Sequence, residues 1–412
     1  MKTPSATVRA DDEVHDGKRA VEHARRHFTS LRDTRGRRGK RHGLVDVVLI
    51  SLMAMLCGCD DADDIAEWAE LREDWLTQWF SLTHGTPSQD TILRVFALLK
   101  PRSFAHAVSS WLSSLRPTSA DHIAIDGKTL RGSRDRAKGS SGIHVVSAWL
   151  RDTGLVLGQV KTADKSNEIT AIPELLKLID VRGCVVTIDA GGCHRQIASD
   201  IVEQGGHYVL AVKDNQPTLR NDIAQLFMQG DDTRRRAIDE IPRPCVTHVH
   251  ETDTGHGRIE ERSVSYTTDL DWLTTVDSWQ GLHGVGRVGT RRTDAISGAN
   301  ETAERFFISS DPTMTAEKLY DYTRGHWSVE NELHWVLDVV FNEDGSQIRT
   351  RRTAENIATL RRTALSMLRA TPKPKKRMSI KHQRRVCDYR PEYLLNVLTA
   401  HRPGMEEGEP RT

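Results

Sequence analysis

The stretch from Arg324 to Phe341, RGHWSVENELHWVLDVVF, sets Glu330, His334 and Asp338 at steps of four. In an α-helix that spacing brings all three onto one face. Two acids and a histidine on one stripe can hold a cation or handle a proton. The plainer use of such a stripe is the wet side of a half-buried helix. The choice depends on whether other carboxylates meet that face. Two lie upstream, each ending a short apolar run: Asp126 in IAIDGK and Asp189 in CVVTIDA. If those runs are neighbouring strands of one sheet, their carboxyl ends open onto a shared crevice. Three carboxylates there make an oxygen-rich site for hard cations. Two Mg²⁺ ions, with Mn²⁺ as a substitute, suit phosphodiester chemistry because they act on both the attacking and the leaving oxygen. Taken singly, each aspartate also has a local use. Asp126 can open a turn with Gly127, and Asp189 can cap the next helix.

The elements that must position these acids follow from the period of the apolar residues. Residues 1–43 read as a basic flexible arm. Residues 44–116 read as a helical N-terminal domain suited to DNA binding. In it, Ser88 is placed to cap a helix that Pro101 closes, and Gln89 and Arg94 can face bases. From 117 the pattern turns to strands. IAIDGK is a strand, IHVVSAWL and LVLGQV form a hairpin about DTG, and NEITAIPELLKLI is a helix. CVVTIDA is a buried strand, RQIASDIVEQGG a glycine-capped helix, and HYVLAVK a further strand. The order β-β-β-α-β-α-β over 117–220 predicts an α/β fold with a mixed five-stranded sheet and flanking helices. Residues 221–310 read as a β-rich insertion, 311–400 as the C-terminal helices of the core, and 401–412 as a tail.

The 412 residues are 37% hydrophobic and 28% charged, which suits a soluble chain of two or three domains. The net charge of +1 conceals segregation. Ten Lys or Arg lie between Lys18 and Arg41 against two acids, and a second basic run follows Arg349. Basic runs at both ends of the chain point to a polyanionic partner. The six cysteines show no repeated paired spacing, so reduced thiols in the cytoplasm are expected. The first thirty residues lack an apolar signal core. LVDVVLISLMAMLC is too short to span a bilayer and reads as a buried helix. Two rival motifs fail. GKT at 127–129 lacks the glycine a phosphate loop needs at 122, and Cys245, His248, His250 and His256 do not share one strand face for zinc.

The residues carry a resemblance as well. AIDGKTLRGS, HVVSAWLRDTGLVLGQV, KSNEITAIPELL, VVTIDAGG, GGHYVLAVKDNQ, GHGRIEER and the opening stretch occur in one order. Together they resemble the DDE transposases of the bacterial ISAs-type insertion sequences, the H-repeat-associated proteins, over about residues 40–400. The resemblance implies an RNase H-like core with the β insertion before its last acid, and Asp126, Asp189 and Glu330 as catalytic metal ligands. Glu332 competes with Glu330, but on an α-helix it would face roughly 160° away. This sequence departs from better-studied relatives around the Glu. Arg324 lies six residues before it, and position 337 is Leu where those relatives carry Lys.

The expected activity is cleavage at the terminal repeats of an insertion sequence and joining of the 3′ ends to target DNA. Lys128, Lys213, Asn215, Gln216, Arg324 and His334, with Gln89 and Arg94, are the expected DNA contacts. The expected partners are element-end and target duplexes and further copies of the chain on DNA, with no membrane. The expected location is the cytoplasm, at the nucleoid when bound. Two other readings use the same residues: an inactive DNA-binding descendant, and a nuclease that cuts without joining.

Overall fold

The computed structural model describes residues 6–36, 40–134, 139, 141–162, 168–235, 246–255 and 257–399. The 401–412 tail, Cys245 and His256 lie outside these. The N-terminal half is helical: α1 Ala6–His27, α2 Leu44–Leu56, α3 Ala62–Glu70, α4 Glu73–Leu76, α5 Gln89–Leu98 and α6 Pro101–Ser114. In α2 eleven of thirteen residues are buried, as a helix apolar all round must be. The Ser88 hydroxyl caps α5 by accepting from the Thr91 amide at 3.4 Å. Pro101 occupies the first turn of α6, where its missing N–H costs nothing.

The sheet begins with β1 His122–Leu130, β2 Ile143–Leu150 and β3 Leu155–Thr162. Helix α7 Glu168–Leu176 leads to β4 Val185–Ile188, and α8 Arg195–Glu203 to β5 His207–Val212. β1, β4 and β5 are parallel, while β2 runs antiparallel to β1 and β3 antiparallel to β2. Every residue of β2 and β4 is buried, which explains their continuous apolar content. After α9 Pro217–Arg235 come β6 Val246–Gly255, β7 Arg258–Thr267, β8 Gly284–Asp294 and β9 Asn300–Ser309. The chain then returns through α10 Ala316–His326, a π-helical turn Val329–His334, α11 Trp335–Val339, α12 Arg351–Ala370, α13 Ile380–Tyr389 and α14 Pro391–Thr399.

Four expectations change. The sheet has nine strands in the order β3-β2-β1-β4-β5-β9-β8-β7-β6, not five. The insertion does not stand apart, because β9 pairs antiparallel with the open edge of β5, Val209 opposite Ser309. An unpaired edge strand is a liability, and the insertion covers it. The supposed flexible arm contains α1, and Ala20, Val21, Ala24 and Phe28 are buried in the helical core. That core also includes residues of α12, α13 and α14, so the segment 44–116 shares its interior with the C-terminal helices. Last, the basic run after Arg349 is partly internal. Arg361, Arg362 and Arg384 are each under 5% exposed and bind carboxylates or carbonyls. A charge count along the chain cannot distinguish such residues from a phosphate-binding face. No helix among the described residues is long and apolar enough to cross a membrane.

Candidate active site

β1 and β4 register as Ile125 opposite Ile188, so the next residues in line are Asp126 and Asp189. In parallel strands such neighbours share a face about 4.8 Å apart in backbone spacing. Asp126 does not end its strand, since β1 continues to Leu130 on β2. It marks the point where β4 stops, and the crevice opens there because β4 is the shorter strand. Asp189 does cap the short turn Ala190–Gly192, accepting from the Gly191 amide at 3.0 Å. Its cap role and its place in the crevice coexist.

Glu330 reaches the same crevice from the π-helical turn, and with Asp126 and Asp189 it lines a cleft of about 710 Å³. A π turn breaks strict α spacing and is common at functional positions. The stripe of four-step residues therefore divides. Glu330 faces the cleft, His334 Nδ1 lies 3.6 Å from Asp126 Oδ2, and Asp338 reaches Lys128 Nζ at 2.5 Å. Glu332 borders the cleft too, but Arg369 engages its carboxylate at 3.1 Å.

Burial pushes Asp126 up to about 7, and Asp189, Glu168 and Glu330 add like-charge repulsion. Burial likewise raises Asp189, with Glu168 adding to it, and Lys213 offsets only part. At 3.6 Å, His334 Nδ1 stands at ion-pair distance from Asp126. Burial holds it at about 3, however, so the ring is neutral and the contact is not a salt bridge. Its Nε2 is buried without a partner.

The expected DNA contacts separate into two kinds. Lys213 and Arg324 are exposed and line the cleft. Arg94 is exposed and Gln89 half-buried on α5, away from the cleft lining. Lys128 instead turns inward, 8% exposed, to Asp338, Glu343 and Asp344. Asn215 and Gln216 direct their amides at the Asp189 loop, donating to Ala190 O at 2.8 Å and Cys193 O at 3.1 Å. They brace the loop that carries Asp189, with Asn215 still exposed at the surface.

Several site residues escaped the sequence reading. Glu168 opens α7 and acts on both aspartates. The visible signal was the KSNEI stretch, although nothing local linked it to the strand ends. The insertion contributes Arg262, Arg292 and Arg305 to the cleft wall, on alternate positions of β7, β8 and β9. Glu260 holds Arg262 at 2.7 Å and Arg292 at 3.3 Å, while the Arg305 guanidinium lies 4.8 Å from the centroid of the half-exposed Trp327 ring.

The donor set fits a divalent cation. It consists of carboxylate oxygens, and the like-charge repulsion that adds to burial in raising Asp126 is what an added cation would relieve. Lys128, two residues on from Asp126, is engaged by Asp338 instead. Among the described residues, no three His, Cys, Asp or Glu stand in ligating geometry.

Two family models match this chain: DDE_Tnp_1-associated over residues 25–112, and the Transposase DDE domain over residues 117–367. The chain is 36% identical over 347 residues to the "H repeat-associated putative transposase YhhI" of Escherichia coli, covering 83% of this chain and 89% of that one. It is 40% identical over 275 residues to an uncharacterized protein in the dhlA 3′ region of Xanthobacter autotrophicus, covering 66% and 88%. Among solved structures, a piggyBac transposase synaptic complex with hairpin DNA aligns at 12% identity and a TM-score of 0.39. That alignment covers 96% of this chain and 80% of the other, a likeness too distant to inform on this one.

Proposed function

This chain belongs to the DDE transposase family, and from that premise we propose that it cuts DNA at the ends of its own insertion sequence and joins the freed 3′ ends to target DNA. The observation that carries the proposal is the shared cleft of Asp126, Asp189 and Glu330. The order β3-β2-β1-β4-β5, with β2 and β3 antiparallel, supports an RNase H-like core beneath it.

Asp126, Asp189 and Glu330 would hold two Mg²⁺ ions, which when bound supply activation of the attacking oxygen and stabilisation of the leaving one. The chain's own residues do the rest. The parallel register of β1 and β4 sets the two aspartates side by side, and Asn215 and Gln216 brace the loop behind Asp189. Lys213 and Arg324 lie where they can take backbone phosphates, and the arginines of β7, β8 and β9 extend that positive wall. Exposed Trp327 gives an unpaired base at a cut end a ring to stack on. His334, neutral and packed against Asp126, keeps that carboxylate in place without neutralising it.

The test is a labelled element end incubated with the protein, Mg²⁺ and a target duplex. Nicks at the terminal repeat followed by joined products are expected. Nicks without joining would make the protein a nuclease, and end-binding without nicks would make it an inactive descendant.

A further inference from the structure

We propose that Glu168 is a fourth carboxylate of the cation site, placed between Asp126 and Asp189 and oriented by His144; this rests on the two-cation reading above. Glu168 is the first residue of α7, the helix that carries the chain from β3 toward β4. Its carboxylate packs against β1 at Gly127 and reaches toward the turn after Asp189. One oxygen, Oε1, packs over Gly127, the residue after Asp126, and a Cβ built there would overlap both Oε1 and His144 Nε2. The other oxygen, Oε2, would lie 3.5 Å from a Cβ on Gly191, a point 3.2 Å from Asp189 Oδ1. The two oxygens thus lie toward the backbone next to each aspartate, Oε1 at Gly127 and Oε2 toward Gly191.

His144 determines which oxygen remains available. From β2, its Nε2 meets Glu168 Oε1 at 2.5 Å, and its Nδ1 meets Thr129 Oγ1 at 2.9 Å. With the ring tied at both nitrogens, Oε1 is occupied and Oε2, the oxygen toward Gly191, is left. No Lys or Arg is paired with Glu168 among the ion pairs of the described residues. A glutamate with only a structural duty would gain by facing solvent or a cation of its own chain. This one is set instead against Gly127, the residue after Asp126, and toward Gly191, two residues past Asp189. The glycine at 127 is then required for space: any side chain there would displace the carboxylate.

The test is Mn²⁺ titrated into the purified full chain without DNA, with free Mn²⁺ read by electron paramagnetic resonance. Glu168→Gln should weaken Mn²⁺ binding ~10-fold or more, the range expected for loss of a group that holds or orients a metal. Asp126→Asn and Asp189→Asn should do the same, and Glu332→Gln should not. Glu168→Asp keeps the charge but shortens the reach, so it should weaken binding as well. It carries the test if the Gln variant fails to fold by circular dichroism. Wild-type affinity in the folded Glu168 variants, with the aspartate variants impaired, would reduce Glu168 to a partner of His144 and overturn the proposal. Wild-type affinity in all of them would remove the two-cation reading along with it.

Discussion

Asp126 and Glu343 lie on either side of Lys128 and have opposite fates. Glu343 is 2% exposed, and burial alone would raise it, yet its carboxyl lies below the ordinary range. The cause is a full set of internal cations: Arg362 at 2.6 Å, Lys128 at 3.4 Å and Arg361 nearby. Asp126, two residues before Lys128 on the same strand face, has no such partner and is raised to about 7. The difference teaches how the fold sorts its charges. Arginines of α12 neutralise the acid that holds the core together. Asp126 within β1 and Asp189 just past β4 are left crowded in the cleft, beside each other and Glu330.

The strongest way to break this comparison is to remove the crowded acids. Asp126→Ala, Asp189→Ala and Glu330→Ala should each reduce cleavage roughly 10³-fold or more, while binding to the element end persists. Glu332→Ala should have little effect, because Arg369 already occupies that carboxylate. Single-turnover cleavage and a gel shift on the same preparations decide it. Loss of activity in the Glu332 variant with the Glu330 variant intact would reassign the third acid.

On the paired side the expected damage is to stability. Arg362→Ala leaves Glu343 buried with a weaker counter-charge, which costs about 3–5 kcal/mol for a broken buried pair. Urea unfolding should show a loss of that size, read as the midpoint shift multiplied by m. A shift below about 1 kcal/mol would mean that Lys128 and Arg361 suffice, and that Arg362 is redundant.

The raised carboxyl of Asp126 predicts a pH effect whose sign can be worked out. Between the usual aspartate value and about 7, the unfolded chain has lost this proton while the folded chain keeps it. Folding then takes up a proton, so Asp126 makes the metal-free protein less stable as pH rises through that window. The cost is complete above about 7, on the order of a few kcal/mol at ~1.4 kcal/mol per unit. Asp126→Asn should flatten that part of the stability profile, and Mg²⁺ should flatten it in the unaltered protein. Parallel profiles for the two proteins would show that Asp126 titrates normally.

The smallest effect tests where sequence recognition lies, outside both charge clusters. Gln89→Ala with Arg94→Ala on α5 should erase preference for the terminal repeat over random duplex, at about 1–3 kcal/mol per base contact. Non-specific affinity should persist. Competition binding, after circular dichroism matches the unaltered protein, measures it. If the preference survives, recognition passes to the strands β6 to β9, whose arginines already face the cleft.

Much of the fold was legible in order and type. The alternation from 123 to 212, the DTG turn and the capping Ser88 each depend on neighbours a few residues away, and the strands and helices formed there as read. The nine-strand sheet was not legible, because strand order depends on which edge is left open. β5 leaves one, and only the folded sheet shows that β9 fills it. The basic character of 18–41 suggested an unstructured arm, but Ala20, Val21, Ala24 and Phe28 lie on one helical face whose partner surface is far away in sequence.

The candidate site divides the same way. Asp126, Asp189 and Glu330 could be singled out from the residues alone, because each lies where a short apolar run or a polar stripe ends. That pattern is local, and so it is written in the chain. Glu168 joined to Gly127, Lys128 diverted to Glu343, Asn215 turned to the Asp189 loop and the π turn beneath Glu330 were decided only by tertiary structure. The reason is physical. Secondary structure follows the periodicity of a dozen residues, whereas an ion pair or hydrogen bond needs two side chains within about 3 Å. Residues 128 and 343 reach that separation only after the sheet has taken its register and the returning helices have packed upon it.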